Sequence, residues 1–123
     1  MRVIAGKAKG TRLSSVKGLA TRPTGDRVKE ALFNILGPKV LGSSFLDLYA
    51  GSGAVGLEAL SRGAEKVVWV ESDRACCGQI KKNLERTRLE GGLVLPGDVF
   101  AVLARLQRRG ERFDLIFLDP PYG

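Results

Sequence analysis

A chain of 123 residues has room for one domain, with a core that buries roughly two thirds of the surface its unfolded form exposes. Hydrophobic residues make up 44% and charged residues 27%, a globular rather than disordered composition, and the absence of histidine excludes His-based triads and the common zinc patterns. The formal charge of +7 is segregated: residues 1–44 hold nine Lys or Arg against Asp26 and Glu30, whereas residues 45–123 hold eleven of each sign, a distribution suited to a polyanionic partner.

From the start of the chain, "RVIA" and "TRL" flank the loop "GKAKG", so residues 2–13 read as a hairpin with a basic tip. That start is too short an apolar run for a signal peptide. No later stretch approaches the ~20 apolar residues of a membrane span, so a cytoplasmic location is expected. The turn-rich "KGLATRPTG" leads to a helix over residues 26–36, in which Val28, Ala31, Leu32, Ile35 and Leu36 recur at helical spacing before Gly37-Pro38 ends it.

After Phe45 the pattern alternates. "FLDLYA" is a strand, "AVGLEALSRG" a helix closed by Gly63, and "KVVWVE" a second strand. "DRACCGQIKKNLERTRL" is a helix capped by Ser72 or Asp73, and "GLVLPGD" is a third strand. "VFAVLARLQRRG" is a helix with Val99, Val102, Leu103 and Leu106 on one stripe, followed by "FDLIFLD", an apolar strand of the kind buried on both faces. Alternation of this sort implies an α/β fold with a parallel, doubly wound sheet. Cys76 and Cys77 are adjacent, a spacing that suits two reduced thiols on a helix better than a disulfide or a metal knuckle, so no metal site is expected.

Ligands of such sheets bind outside the carboxyl ends of the strands. Four ends carry notable residues: Asp47 with "AGSG", Glu71, Asp98, and Asp119 with "PPY". "GSGAVG" at 51–56 matches a dinucleotide-type loop between strand and helix, with Glu71 twenty residues beyond Gly51. Asp47 argues against a nicotinamide cofactor, because a pyrophosphate gains nothing from another negative charge; an acid there suits a cationic group such as the ammonium of an amino acid moiety. In "DPPY" the prolines lack N–H groups and fix φ, which leaves rigid carbonyl acceptors beside a carboxylate and an aromatic. That set describes a seat for a planar amino group.

"FLDLYAGSGAVGLEAL", "ESD", "GD" and "DPPY" resemble motifs of the Rossmann-like class I methyltransferases that use S-adenosyl-L-methionine to methylate exocyclic amino groups. "RVIAGKAKGTRL" and "RPTGDRVKEALFNIL" narrow the resemblance to the bacterial 16S rRNA guanine-N2-methyltransferase family, over the whole chain from Arg2 to Tyr122. The resemblance implies that Asp47 and the loop Tyr49, Ala50, Gly51, Ser52 and Gly53 receive the methionine part of the cofactor. It further implies that Glu71, with Ser72, binds the ribose, that Asp98 binds the adenine amino group with Val99 beside the ring, and that Asp119, Pro120, Pro121 and Tyr122 hold the target base. The small ribosomal subunit is then the partner, with Lys7, Lys9, Arg12, Arg22 and Arg27 as candidates for RNA contact; Arg22 and Arg27 suit either an RNA phosphate or the cofactor mouth. A DNA adenine or cytosine N-methyltransferase would share "DPPY", and a nicotinamide oxidoreductase would share the Gly-rich loop.

Residues 1–44 thus read as a basic extension for RNA contact and residues 45–123 as the cofactor-binding core. The family's sheet has seven strands and this chain supplies four, so the core is expected to be incomplete, with "FDLIFLD" as a long apolar edge strand. Such a chain is expected to be a fragment of a longer product, to be completed by another chain, or to associate with itself through that edge. A fragment that binds RNA and cofactor without turnover is the further alternative.

Overall fold

The computed structural model describes residues 1–16 and 25–120. Four parallel strands, β1 (Ser44–Leu48), β2 (Lys66–Glu71), β3 (Gly92–Pro96) and β4 (Leu115–Leu118), form one sheet in the order β3-β2-β1-β4. Helices α1 (Asp26–Leu36), α2 (Ala54–Ser61), α3 (Arg74–Thr87) and α4 (Val99–Arg108) complete it, with a 3-10 turn over Gly37–Val40 after α1. The alternating segments of the sequence therefore appear as expected.

The period-2 alternation of the strands divides the core in two. Phe45, Val67 and Trp69 join residues of α1, α2 and α3 on one face, while Leu46, Leu48, Val68 and Val70 meet Val99, Val102 and Leu106 of α4 on the other. Every residue of α2 is buried, which accounts for its nearly continuous apolar sequence. Chain order changes direction at β1, with β2 on one side and β4 on the other, so the switch point of the sheet opens above the Gly-rich loop.

Of the finer expectations, one is met and two need correction. Residues 2–13 form the expected hairpin in short form: an antiparallel bridge pairs Arg2 with Arg12, and the Val3 N–H donates to the Thr11 carbonyl at 2.9 Å. Helix α1 has the expected bounds but presents a different face. Val28 and Ile35 are 61% and 82% exposed, whereas Lys29 and Phe33 are buried. Burial of Lys29 has a cause in α2, where Glu58 is also fully buried. The Lys29 Nζ lies 3.6 Å from Glu58 Oε1 and donates to the Arg2 carbonyl at 2.6 Å. Lys29 therefore does not belong to the free basic surface, and burial lowers its pKa while Glu58 and Asp26 oppose that shift. The second correction concerns β4, which is not covered on both faces: Leu115 and Phe117 are partly buried, but Ile116 and Leu118 are 60% and 59% exposed at the sheet edge.

The basic N-terminal segment is built into the domain. Val3, Ala8 and Leu13 belong to the main core cluster. The Ile4 and Ala5 N–H groups donate to the two oxygens of Glu58 at 2.9 and 3.1 Å, and Ala8 N–H donates to Ser61 Oγ at 2.9 Å. An acid and a hydroxyl on α2 thus satisfy backbone groups that the short hairpin pairing leaves open.

Candidate active site

Asp47 points from β1 into the face that carries α2, where it is 2% exposed and its Oδ2 accepts the Gly56 N–H at 3.0 Å. The residue in the N-cap position of α2 is Gly53, at φ 79° and without a capping side chain, so an aspartate from the preceding strand supplies the side-chain acceptor at this helix start. Burial pushes the Asp47 carboxyl up to about 8, the negative charges of Glu71 and Asp119 push the same way, and the Gly56 N–H opposes them. At neutral pH the folded chain therefore holds Asp47 mostly as the neutral acid.

The loop between β1 and α2 is tightly determined. Tyr49 has φ 57°, which is rare for a residue with a side chain, and Gly51 has φ 60° with nothing within 4 Å of the space a Cβ would fill. Gly56 has a different task. A Cβ there would stand 2.3 Å from Trp69 Nε1, so the third glycine lets α2 lie on the β2 tryptophan. Trp69, fully buried, donates from Nε1 to the Gly53 carbonyl at 3.1 Å and fixes the loop from below.

Glu71 ends β2 and is half-buried. Its Oε1 accepts the Gly51 N–H at 2.8 Å and its Oε2 accepts the Asp73 N–H at 2.8 Å. Each oxygen keeps a further lone pair for a hydroxyl donor. Asp73, not the exposed Ser72, caps α3 by accepting from Cys76 N–H at 3.0 Å. Asp98 caps α4 in the same way through Oδ2, bonded to Ala101 N–H at 3.0 Å, which leaves Oδ1 unengaged by that bond. Val99 is buried in the α4 cluster, and the adjacent Phe100 is 74% exposed. Asp119 is exposed just past β4, with Pro120 next to it; Pro121 and Tyr122 lie outside the described residues.

Because the strand order is β3-β2-β1-β4, the rim reads Asp98, Glu71, the Gly51–Gly53 loop with Asp47 beneath it, and Asp119. The sheet thus brings together Asp47, Tyr49, Ala50, Gly51, Ser52, Gly53, Glu71, Ser72, Asp98, Asp119 and Pro120 along one edge. Of the basic candidates, Arg12 and Arg27 are exposed, and Arg22 lies outside the described residues. Lys7 sits elsewhere, at the opposite end of the strands: its N–H donates to the carbonyl of Ser61, the last residue of α2. Lys9 is exposed on the same turn-rich loop.

Sequence reasoning missed two residues that hold this site, Trp69 and Asn83, and one that anchors the N-terminal segment, Glu58. A lone acid in an otherwise apolar helix was the available signal for Glu58. Cys76 and Cys77 are buried free thiols; burial leads the rise of both pKa values, that of Cys76 to about 12, so neither is a nucleophile at neutral pH. Among the described residues no cluster of three or more metal-ligating side chains occurs, and no helix is long and apolar enough to cross a membrane.

The family model described as conserved hypothetical protein 95 matches residues 1–123. The chain belongs to that family. It is 46% identical over 123 residues to YlbH of Bacillus subtilis, an alignment covering 99% of this chain and 67% of that protein. It is 44% identical over 124 residues to the protein of Haemophilus influenzae named ribosomal RNA small subunit methyltransferase D, covering 99% of this chain and 64% of that one. The solved structure of the Thermus thermophilus protein TTHA0928 superposes with a TM-score of 0.89 at 40% identity, over 99% of this chain and 70% of that chain. The fold is the Rossmann-like fold of the class I methyltransferases. The chain spans about two thirds of the length of the curated relatives it matches.

Proposed function

We propose that this chain carries the cofactor site and base-binding corner of an S-adenosyl-L-methionine-dependent methyltransferase acting on the N2 amino group of a guanine in small-subunit rRNA. The observation that carries the reading is the order of groups along the rim: an acceptor at Asp98, a hydroxyl-binding carboxylate at Glu71, a glycine loop over a buried acid, and Asp119 with Pro120. That order fits an adenosine joined to an amino acid, followed by the group to be methylated. The residues suit this cofactor on chemical grounds. Open space at Gly51 admits a close approach, Glu71 keeps lone pairs for two hydroxyls, and Asp47, on giving up its proton, offers a carboxylate to an ammonium. When bound, S-adenosyl-L-methionine supplies a sulfonium methyl as the electrophile.

The rest falls to the chain's own groups. Asp119 and the Pro120 carbonyl accept hydrogen bonds from the guanine amino group, which aims its nitrogen and favours the positive charge that grows there during transfer. Tyr122 stacks on the extruded base. Lys9, Arg12, Arg22 and Arg27 contact RNA phosphates, and residues 1–44 serve as the RNA-contacting part beside a 45–123 core. The relative named as a small-subunit rRNA methyltransferase supports rRNA over DNA as substrate. One second reading rests on the exposed β4 edge: a chain that binds cofactor and RNA without turnover and associates with itself through that edge.

The test is methyl transfer from labelled S-adenosyl-L-methionine to small ribosomal subunits and to naked 16S rRNA, with the Asp119→Ala variant alongside. Label at guanine N2, reduced about 100-fold or more in the variant, is the expected result. Binding of S-adenosylhomocysteine without incorporation selects the second reading, and binding of NADH in its place discards both.

A further inference from the structure

Asn83 lies in α3 and is fully buried. Its amide spends every hydrogen-bonding valence it has. Oδ1 accepts the Ser14 N–H at 2.9 Å and the Gln79 side-chain amide at 3.3 Å. Nδ2 donates to the Ser14 carbonyl at 2.8 Å and to the Ser52 carbonyl at 3.1 Å. Two donors and two acceptor sites are the full inventory of an asparagine side chain.

These partners are remote in sequence. Ser14 belongs to the N-terminal segment, 69 residues away, and Ser52 is the middle residue of the Gly51–Gly53 loop, 31 residues away. The pairing with Ser14 uses both its N–H and its C=O, as a neighbouring strand would. One planar group thereby joins the N-terminal segment, α3 and the Gly-rich loop. The loop is otherwise held at Gly51 by Glu71 and at Gly53 by Trp69; Ser52 Oγ donates to Met1 Sδ at 3.7 Å, and among the described residues the Ser52 carbonyl takes its side-chain anchor from Asn83. Loop backbone held at each successive residue is preorganised for a ligand, and that lowers the cost of ordering it on binding.

We propose that Asn83 is a positioning residue for the cofactor loop, fixing the Ser52 carbonyl against the Ser14 backbone so that the N-terminal segment and the cofactor site hold one geometry. The inference rests on the reading of residues 51–53 as the cofactor loop.

Calorimetric titration with S-adenosylhomocysteine, run on the whole chain at a temperature where every variant is folded, tests it. Asn83→Ala and the near-isosteric Asn83→Asp are compared with Phe33→Leu, which weakens the core where α1 packs and touches neither the loop nor Ser14. Asn83→Asp keeps the volume and the bond from Ser14 N–H but turns a carboxylate toward two carbonyls, so it carries the test if the alanine variant fails to fold. Affinity should fall about tenfold or more in the Asn83 variants. It should stay within twofold of wild type in Phe33→Leu at a comparable loss of thermal stability. Asn83 variants that bind as tightly as wild type overturn the inference while leaving the proposed function standing. So does an equal loss in Phe33→Leu, which would reduce Asn83 to a stabilising residue. Wild-type chain that does not bind S-adenosylhomocysteine overturns both.

Discussion

Asp47 combines two demands that pull its proton in opposite directions. As the acceptor of the Gly56 N–H at the start of α2 it is favoured in the charged form, yet burial and the nearby carboxylates of Glu71 and Asp119 raise its pKa from 3.8 to about 8. The folded chain therefore keeps a proton that the unfolded chain has already released between about pH 4 and pH 8. Through that window the native state binds more protons, so stability falls as pH rises, with a limiting slope of about 1.4 kcal/mol per pH unit. Asp47→Asn retains an acceptor for the Gly56 N–H and removes the titration. Its unfolding free energy, from denaturant curves at pH 5, 6.5 and 8, should vary less with pH than that of wild type and exceed it at pH 8. Parallel curves would refute the assignment. A bound ammonium favours the carboxylate, so below pH 8 wild type should release a proton on binding S-adenosylhomocysteine. The heat of binding should then depend on the ionisation enthalpy of the buffer, a dependence absent in Asp47→Asn.

At the scale of elements, α2 is a hub whose two unusual residues do different work. Gly56 has no space for a side chain: an added Cβ would meet Trp69 Nε1 at 2.3 Å and Val67 Cγ1 at 2.8 Å. Gly56→Ala should cost about 1–3 kcal/mol by forcing α2 away from β2. The emission of Trp69, the one tryptophan in the chain, should shift as its bond to the Gly53 carbonyl loosens. Glu58 has a different reach. It holds the Ile4 and Ala5 amides, pairs with Arg62 at 2.8 Å, and faces the buried Lys29. Glu58→Ala leaves that lysine without its main counter-charge and should cost about 3–5 kcal/mol. Limited proteolysis should then cut within residues 4–13 before any other site, and an unchanged digestion pattern would contradict the clamp. These two residues also mark where sequence reading stopped. Helical spacing located α1 to the residue, but periodicity reports a stripe and not what it faces. The buried Lys29–Glu58 pair, made by residues 29 positions apart, turned the helix so that Val28 and Ile35 face outward.

For the whole molecule, the parts legible in advance were those encoded locally. Strand and helix alternation sets the topology, and topology alone puts Asp98, Glu71, the glycine loop and Asp119 on one rim, so that rim could be anticipated from spacing. Contacts between distant segments could not. Asn83 on Ser14 and Glu58 on Ile4 join residues 69 and 54 apart, and no local pattern announces them. Topology also sets the property most open to a solution test. In the 123-residue chain β4 pairs with β1 on one side and ends the sheet on the other, with Ile116 and Leu118 more than half exposed and no charge or proline within Leu115–Leu118. An apolar edge of this kind templates pairing with another chain. Light scattering after size-exclusion chromatography should therefore give a mass that rises with loading concentration. Ile116→Lys places a charge on the edge without entering a cofactor contact, and should return the mass to that of a monomer while S-adenosylhomocysteine binding persists. A wild-type chain that stays monomeric at every concentration would show that the edge is protected by means other than charge, and would remove self-association from the account.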